Sequence, residues 1–135
     1  MSYLLDTNVL SEVMRPKPAP AVVDWFGQTR NAEQWLSVIT VGELRRGVAL
    51  LRHRGGVARA AKFEQAIADL ETRHGDRILP VTTEVVRVWA RISVQPIDMA
   101  DGLIAATALV HGLAVVTRNV KHFEETGAAV LNPFG

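Results

Sequence analysis

Apolar residues fall along this chain in short blocks that alternate between strand-like and helix-like spacing. Tyr3-Leu4-Leu5 is a brief apolar run closed by Asp6, which reads as a buried strand handing over to a short helix across residues 7–14. Pro16, Pro18 and Pro20 make a stiff loop, and Val22, Val23, Trp25 and Phe26 give a brief helix with a mostly apolar face beyond it. Residues 35–39, Trp35 to Ile39, form the second strand candidate. Thr40 and Glu43 follow at capping-box spacing, so a helix is expected from Thr40 toward Gly55 and Gly56. The next helix carries Val57, Ala60, Phe63, Ile67 and Leu70 on one side and ends near Gly75, and these two long helices read as a hairpin.

Further on, residues 78–81 are a short strand whose Pro80 favours a sheet edge or a strand end. Val85, Val88, Trp89 and Ile92 share one helical stripe behind it. The segment from Pro96 to Ala108 opens on Asp98 and Asp101 and runs into residues apolar nearly all round, which predicts a buried helix. Asp98 can cap its first turn, Asp101 meets the positive end of the helix dipole, and Gly112 closes it. Taken alone, the two acids are a good helix start. Residues 113–117 then form an apolar strand of the parallel-sheet kind, Arg118-Asn119 opens a turn before Phe123, and Val130-Leu131 adds a last edge strand. Strands repeatedly separated by helices predict a three-layer α/β fold with a parallel sheet. No repeat or linker divides the chain, so residues 1–135 are expected to form a single domain.

Composition narrows the class. A chain of 135 residues, 48% hydrophobic and 21% charged, has the balance of one soluble domain burying roughly two thirds of its unfolded surface. A net charge of +1 argues neither for nor against a nucleic-acid partner until the charges are located. The absence of cysteine excludes disulfides and thiolate metal sites and fits a cytoplasmic protein. The opening residues lack a basic segment followed by an apolar one, and no apolar run approaches the ~20 residues that span a bilayer, so neither export nor membrane insertion is expected.

The predicted architecture changes the weight of the acids. Asp6 ends the first strand, Glu43 begins the helix after the second, Asp101 begins the buried helix, and Asn119 follows the last long strand. In an open parallel sheet such positions converge on one cleft outside the carboxyl ends of the strands. Carboxylates ~5 to 6 Å apart repel by roughly 3 kcal/mol per pair at an effective dielectric near 20, whereas a helix end offers only ~0.3 to 1 kcal/mol. The cluster therefore needs either a protonated carboxyl or a divalent cation, and an all-oxygen donor set favours one or two magnesium or manganese ions. Ions of this kind support in-line displacement at phosphorus, the chemistry of nucleases.

The residues also carry a family resemblance. Leu5-Asp-Thr-Asn-Val-Leu-Ser-Glu12, Thr40-Val-Gly-Glu-Leu-Arg-Arg-Gly47, Asp101-Gly-Leu-Ile-Ala-Ala-Thr-Ala108, Val116-Thr-Arg-Asn119 and Leu131-Asn-Pro-Phe134, in this order, resemble the PIN-domain family, and within it the FitB-like group of VapC toxins. The resemblance covers essentially the whole chain. It implies a parallel sheet flanked by helices with a protruding helical hairpin. It also implies a metal-dependent endoribonuclease, the toxin of a type II toxin–antitoxin pair, that hydrolyses RNA phosphodiesters with metal-activated water. Asp6, Glu43 and Asp101 match the metal-binding catalytic acids, Thr7 and Asn8 the polar residues beside the first acid, and Thr117 the residue that helps position a metal ligand or water. Asn119 stands where the pattern often has Asp; its amide oxygen can accept a hydrogen bond but brings no charge, and Asp98 can compensate. The implied cofactor is Mg2+, with Mn2+ as the other candidate. The implied partners are an RNA substrate, a cognate antitoxin, a second copy of the chain, and operator DNA only through the antitoxin.

Other residues have quieter readings. Arg45, Arg46, Arg52, His53, Arg54, Arg59 and Lys62 form the densest basic region, either a solvated face or a surface for phosphates or an acidic partner, with Arg45 and Arg46 the candidates nearest Glu43. His53, His74, His111 and His122 lack ligand spacing and are read as surface or cap residues, and Trp25, Trp35 and Trp89 as core or dimer anchors. Glu12 is read as either solvent-exposed or orienting a basic side chain. An aspartyl-nucleophile phosphatase is disfavoured because Asn8 cannot serve as the second acid, and a receiver-like domain lacks the paired acids and lysine. The alternative in another class is a catalytically weak binding module acting through antitoxin- and DNA-bound complexes, for which the neutral Asn119 speaks.

Overall fold

The computed structural model describes residues 1–135. Five parallel strands form one sheet, β1 (Tyr3–Leu5), β2 (Gln34–Ser37), β3 (Ile78–Leu79), β4 (Ala114–Val116) and β5 (Val130–Leu131), in the order β3-β2-β1-β4-β5. The helices are α1 (Thr7–Val13), α2 (Pro20–Gln28), α3 (Val38–His53), α4 (Val57–His74), α5 (Thr83–Ile92), α6 (Met99–His111) and α7 (Val120–Glu124). The expected three-layer α/β architecture is present, with β3 and β5 at the edges.

Side-chain alternation along the strands divides the core in two. Leu5, Leu36 and Val116 face one layer, where they pack with Val9, Leu10, Val22, Leu44, Val48, Ile67 and Leu70 from α1 to α4. Leu4 and Val115, one residue out of phase, face the other layer with Ile104, Ala105, Ala108 and Phe123 from α6 and α7. The small residues of α6 are buried as a run, and α5 covers that helix from outside, with Trp89 lying against Gly102. Trp25 packs edge-on against Tyr3 and Phe26, at ring-centroid separations of 5.2 and 5.1 Å, so it serves the core as expected.

The helical hairpin is present, packed through Leu44, Val48, Ala60, Ile67 and Leu70 and flanked by two ion pairs. Arg45 pairs with Glu71 and Arg52 with Glu64, two contacts that run in opposite senses along α3 and α4, in keeping with their antiparallel packing. Gly55, at a φ of 91°, makes the turn between them in a conformation costly for other residues.

The start of α3 departs from the expected capping box. The strand stops at Ser37 and the helix begins at Val38, with the Ser37 hydroxyl accepting from the Ile39 N–H at 3.0 Å. The β1 ladder reaches only Trp35 and the β3 ladder only Ser37, so Val38 and Ile39 have no strand to pair with and join the helix despite their branched side chains. Thr40 therefore lies inside the first turn, buried, and Glu43 lies in the second turn rather than at the helix start. Residues 80–81 likewise leave the predicted third strand, since Pro80 has no N–H for the ladder.

Candidate active site

β1 is central because β2 lies on one side of it and β4 on the other, so the chain reverses its winding across β1 and opens a crevice at the carboxyl ends of β1 and β4. The register pairs Leu5 with Val116, which brings the next residues, Asp6 and Thr117, side by side. Asp6 is only 4% exposed, and the fully buried Thr117 hydroxyl donates to its Oδ2 at 2.8 Å. Asn8 Nδ2 donates to the same oxygen at 3.2 Å, while the Thr7 N–H donates to Oδ1 at 2.8 Å. Asp6 thus caps α1 and is clamped on both oxygens.

Glu43 reaches this cluster from α3. The Thr7 hydroxyl donates to Glu43 Oε1 at 2.6 Å, joining the residue after the first acid to the second acid across 36 positions of sequence. Asp101 enters from the first turn of α6, where Asp98 is the N-cap, its carboxylate accepting from the Asp101 N–H at 3.4 Å. Asp98 acts as the predicted cap.

Electrostatics tie the acids together. Burial pushes the Asp6 carboxyl above its ordinary range; the Thr117 and Thr7 hydrogen bonds oppose the rise and the charge on Asp101 adds to it. Burial also raises the Asp101 carboxyl, against the hydrogen bond from His122, and the charges of Asp98 and Glu43 raise it further. The side chains as they stand do not close a set of three His, Asp or Glu ligands. The donor chemistry nevertheless fits a hard divalent cation: three carboxylates, all oxygen donors, two of them held in a state that a positive charge would relieve.

Other predicted residues sort differently. Asn119 is exposed; its backbone N–H donates to Thr117 Oγ1 at 3.0 Å, and its side chain makes no hydrogen bond. Arg45 is engaged with Glu71 and does not stand free for substrate, whereas Arg46 is exposed on the helix that carries Glu43. Glu12 is buried and accepts from Arg15 at 3.2 Å and from the Ala19 N–H at 2.9 Å, so it locks the proline-rich loop and is not solvent-exposed. His74 is also buried rather than at the surface, with Nδ1 2.9 Å from the Leu70 carbonyl.

The sequence reading missed two contacts. His122 Nδ1 lies 3.2 Å from Asp101 Oδ2, and the Arg118 N–H donates to Asn8 Oδ1 at 3.2 Å. The available signal was position: both residues follow β4 at its carboxyl end, the same end that bears Thr117. Beside Thr7 and Glu43 opens a groove of about 560 Å³ between α1 and the hairpin, apolar along Leu44, Val48 and Phe63 and bordered by Arg15, Arg54 and Arg59.

The family model described as the PIN domain matches residues 3–129. Toxin FitB of Neisseria gonorrhoeae (strain ATCC 700825 / FA 1090) is 40% identical over 137 aligned positions, covering 97% of each chain. VapC ribonuclease Y4jK of Sinorhizobium fredii (strain NBRC 101917 / NGR234) is 35% identical, covering 97% of this chain and 96% of the relative. Among solved structures, FitAcB from Neisseria gonorrhoeae superposes with a TM-score of 0.85 at 40% identity over 98% of both chains. The structure of FitAB bound to an IR36 DNA fragment gives a TM-score of 0.83 at 38% identity, over 98% of this chain and 96% of the other.

Proposed function

The chain belongs to the PIN-domain family, and from that membership and its acid cluster we propose that it is a metal-dependent endoribonuclease, the toxin of a type II toxin–antitoxin pair. The observation that carries the reading is the link from Asp6 through Thr7 to Glu43, with Asp101 close enough to raise the Asp6 carboxyl. Relatives named as a toxin and as a VapC ribonuclease, both matched over nearly their whole length, support it.

Asp6, Glu43 and Asp101 are the residues that would hold magnesium, or manganese in its place. When bound, such an ion supplies a water of lowered pKa and stabilises charge developing at phosphorus. Thr117 and Asn8 fix the Asp6 carboxylate, and Thr7 fixes Glu43, so the acids need little reorganisation. Arg46 and the arginines bordering the groove offer positive charge to a phosphate backbone that three carboxylates would otherwise repel.

The antitoxin belongs to the same proposal. FitAB, a solved neighbour, is bound to a DNA fragment, and we extend this to an antitoxin partner here, with operator DNA reached through it. A homodimer is the expected assembly; exposed Val86, Val94 and Met99 near α5 and α6 give it apolar surface. No helix is long and apolar enough to cross a membrane.

The test is cleavage of a mixed RNA pool by purified protein freed of partner, with magnesium, manganese or chelator, beside Asp6→Asn and Asp101→Asn proteins. Metal-dependent cutting lost in both variants is expected. Cutting retained by folded Asp6→Asn would sink the assignment, and metal binding without cleavage of any RNA would favour the weak binding-module reading suggested by Asn119.

A further inference from the structure

The neutral, exposed Asn119 brings no charge to the Asp101 side of the crevice. What meets Asp101 there is an imidazole. His122 projects from α7, and its ring Nδ1 is 3.2 Å from Asp101 Oδ2. With Asp101 ionised, as a cation ligand must be, Oδ2 accepts and the ring Nδ1–H donates. The backbone that carries the ring is anchored, although the side chain itself is 60% exposed: the neighbouring Phe123 is completely buried, and the His122 backbone N–H donates to the Asn119 carbonyl at 3.1 Å.

Asp101 needs such a partner more than Asp6 does. Asp6 has donors on both oxygens, whereas Asp101 has only His122, and the charges of Asp98 and Glu43 push against it. A carboxylate in that setting is free to rotate away from its neighbours. Resting on the assignment of Asp101 as a cation ligand, we propose that His122 is a positioning residue that holds Asp101 Oδ2 and so fixes the orientation of the carboxylate that would bind the cation. Residues that orient a metal ligand in this way typically govern metal affinity by about 10- to 100-fold. The nitrogen edge takes over an orienting role on this side of the site without adding to the negative charge of Asp98 and Glu43.

The test is the affinity of the metal-free protein for Mn2+, followed by titration calorimetry and by the electron paramagnetic resonance signal of free ion. His122→Ala is expected to weaken binding by about 10- to 100-fold. His122→Asn places an amide N–H close to where Nδ1 stands and is expected to recover most of that loss, which a role in packing alone would not produce. His122→Ala within twofold of wild type, or His122→Asn as weak as His122→Ala, overturns the proposal. Asp6→Asn serves as the reference: if it weakens Mn2+ binding while His122→Ala does not, only the His122 role fails, whereas wild-type affinity in Asp6→Asn removes the metal-site reading beneath it. Circular dichroism of each variant confirms the fold in which the affinities are compared.

Discussion

The Thr117 hydroxyl donates to Asp6 Oδ2 at 2.8 Å while accepting from the Asn119 N–H at 3.0 Å, so one buried side chain couples the end of β4 to the end of β1. Thr117→Val keeps the shape and removes both bonds, together with the one the hydroxyl accepts from Asn8 Nδ2 at 3.3 Å. It leaves the buried Asp6 Oδ2 with only the Asn8 Nδ2 donor, and the loss of a partner at a buried carboxylate costs about 1–3 kcal/mol. The expected outcome is a folded protein with a lower melting temperature and RNA cleavage reduced at limiting Mg2+; melting curves and a Mg2+ titration of activity check it. Unchanged stability would mean that water replaces the hydroxyl.

Asp6 and Asp101 make a prediction about stability of opposite sign. Both carboxyls lie above their ordinary value, chiefly because they are buried. A folded-state pKa above the unfolded one means that the group favours the fold below the unfolded value and that this contribution is lost as pH rises through the folded value. At neutral pH in chelator, Asp6→Asn and Asp101→Asn should therefore melt above wild type, the more so because asparagine can still cap α1. Saturating Mg2+ should raise wild type by mass action and move the double variant little. Differential scanning calorimetry with and without chelator decides it, and destabilised variants in chelator would contradict the electrostatic account.

His74 sets a separate pH dependence away from the site. Burial lowers its pKa, the Leu70 carbonyl opposes this, and Arg77 and Arg73 add to it; Nε2 has no partner. The folded pKa lies below the unfolded 6.5, so the full contribution is present above that value and is lost as pH falls through the folded one. His74→Gln should melt below wild type at pH 7.5 but lose less on going to pH 5. Parallel slopes for the two proteins would show that His74 protonates as freely folded as unfolded.

These residues also show how far the sequence could be read. Asp6, Asp98 and Asp101 were legible because each interrupts or opens an apolar run, and the parallel sheet follows from strand–helix alternation, whereas the strand order that forms the crevice depends on tertiary pairing. The start of α3 was not, because Ser37 and Thr40 are both good caps and the choice turns on where the β1 and β3 ladders end. His74 sits beside Gly75 as a cap residue would, and only tertiary packing decides that its ring is enclosed. The His122–Asp101 contact spans 21 residues between two helices, and no local pattern encodes it.

Gly102 tests the packing that presents Asp101. A Cβ built there would come 3.0 Å from Trp89 Cδ1 and 3.1 Å from Nε1, tighter than about nine in ten Cβ contacts, and the indole is held between α5 and α6. Gly102→Ala gains helix propensity of about 1 kcal/mol, but overpacking costs typically 1–3 kcal/mol. The expected net result is a modest loss of stability with α6 pushed from α5. Trp89→Leu in the same chain should relieve the clash and recover stability relative to the additive sum of the two single changes; simple additivity in a double-mutant cycle would refute the close contact.

Arg45 and Arg46 are adjacent in sequence and should behave differently. Arg45 pairs with Glu71 on α4 with both side chains roughly a third or more exposed, so Arg45→Ala should cost at most about 1 kcal/mol and leave RNA affinity nearly unchanged. Arg46 is exposed, lies one helical turn beyond Glu43, and has no ion-pair partner. Arg46→Ala should weaken binding of single-stranded RNA to the inactive Asp6→Asn protein. If Arg46 meets one phosphate, the slope of log affinity against log salt should become shallower by about 0.7. Fluorescence anisotropy across a salt series measures both slopes. Equal effects of the two substitutions would show that Glu71 releases Arg45 to the RNA, and the hairpin would then meet its substrate by breaking its own ion pair.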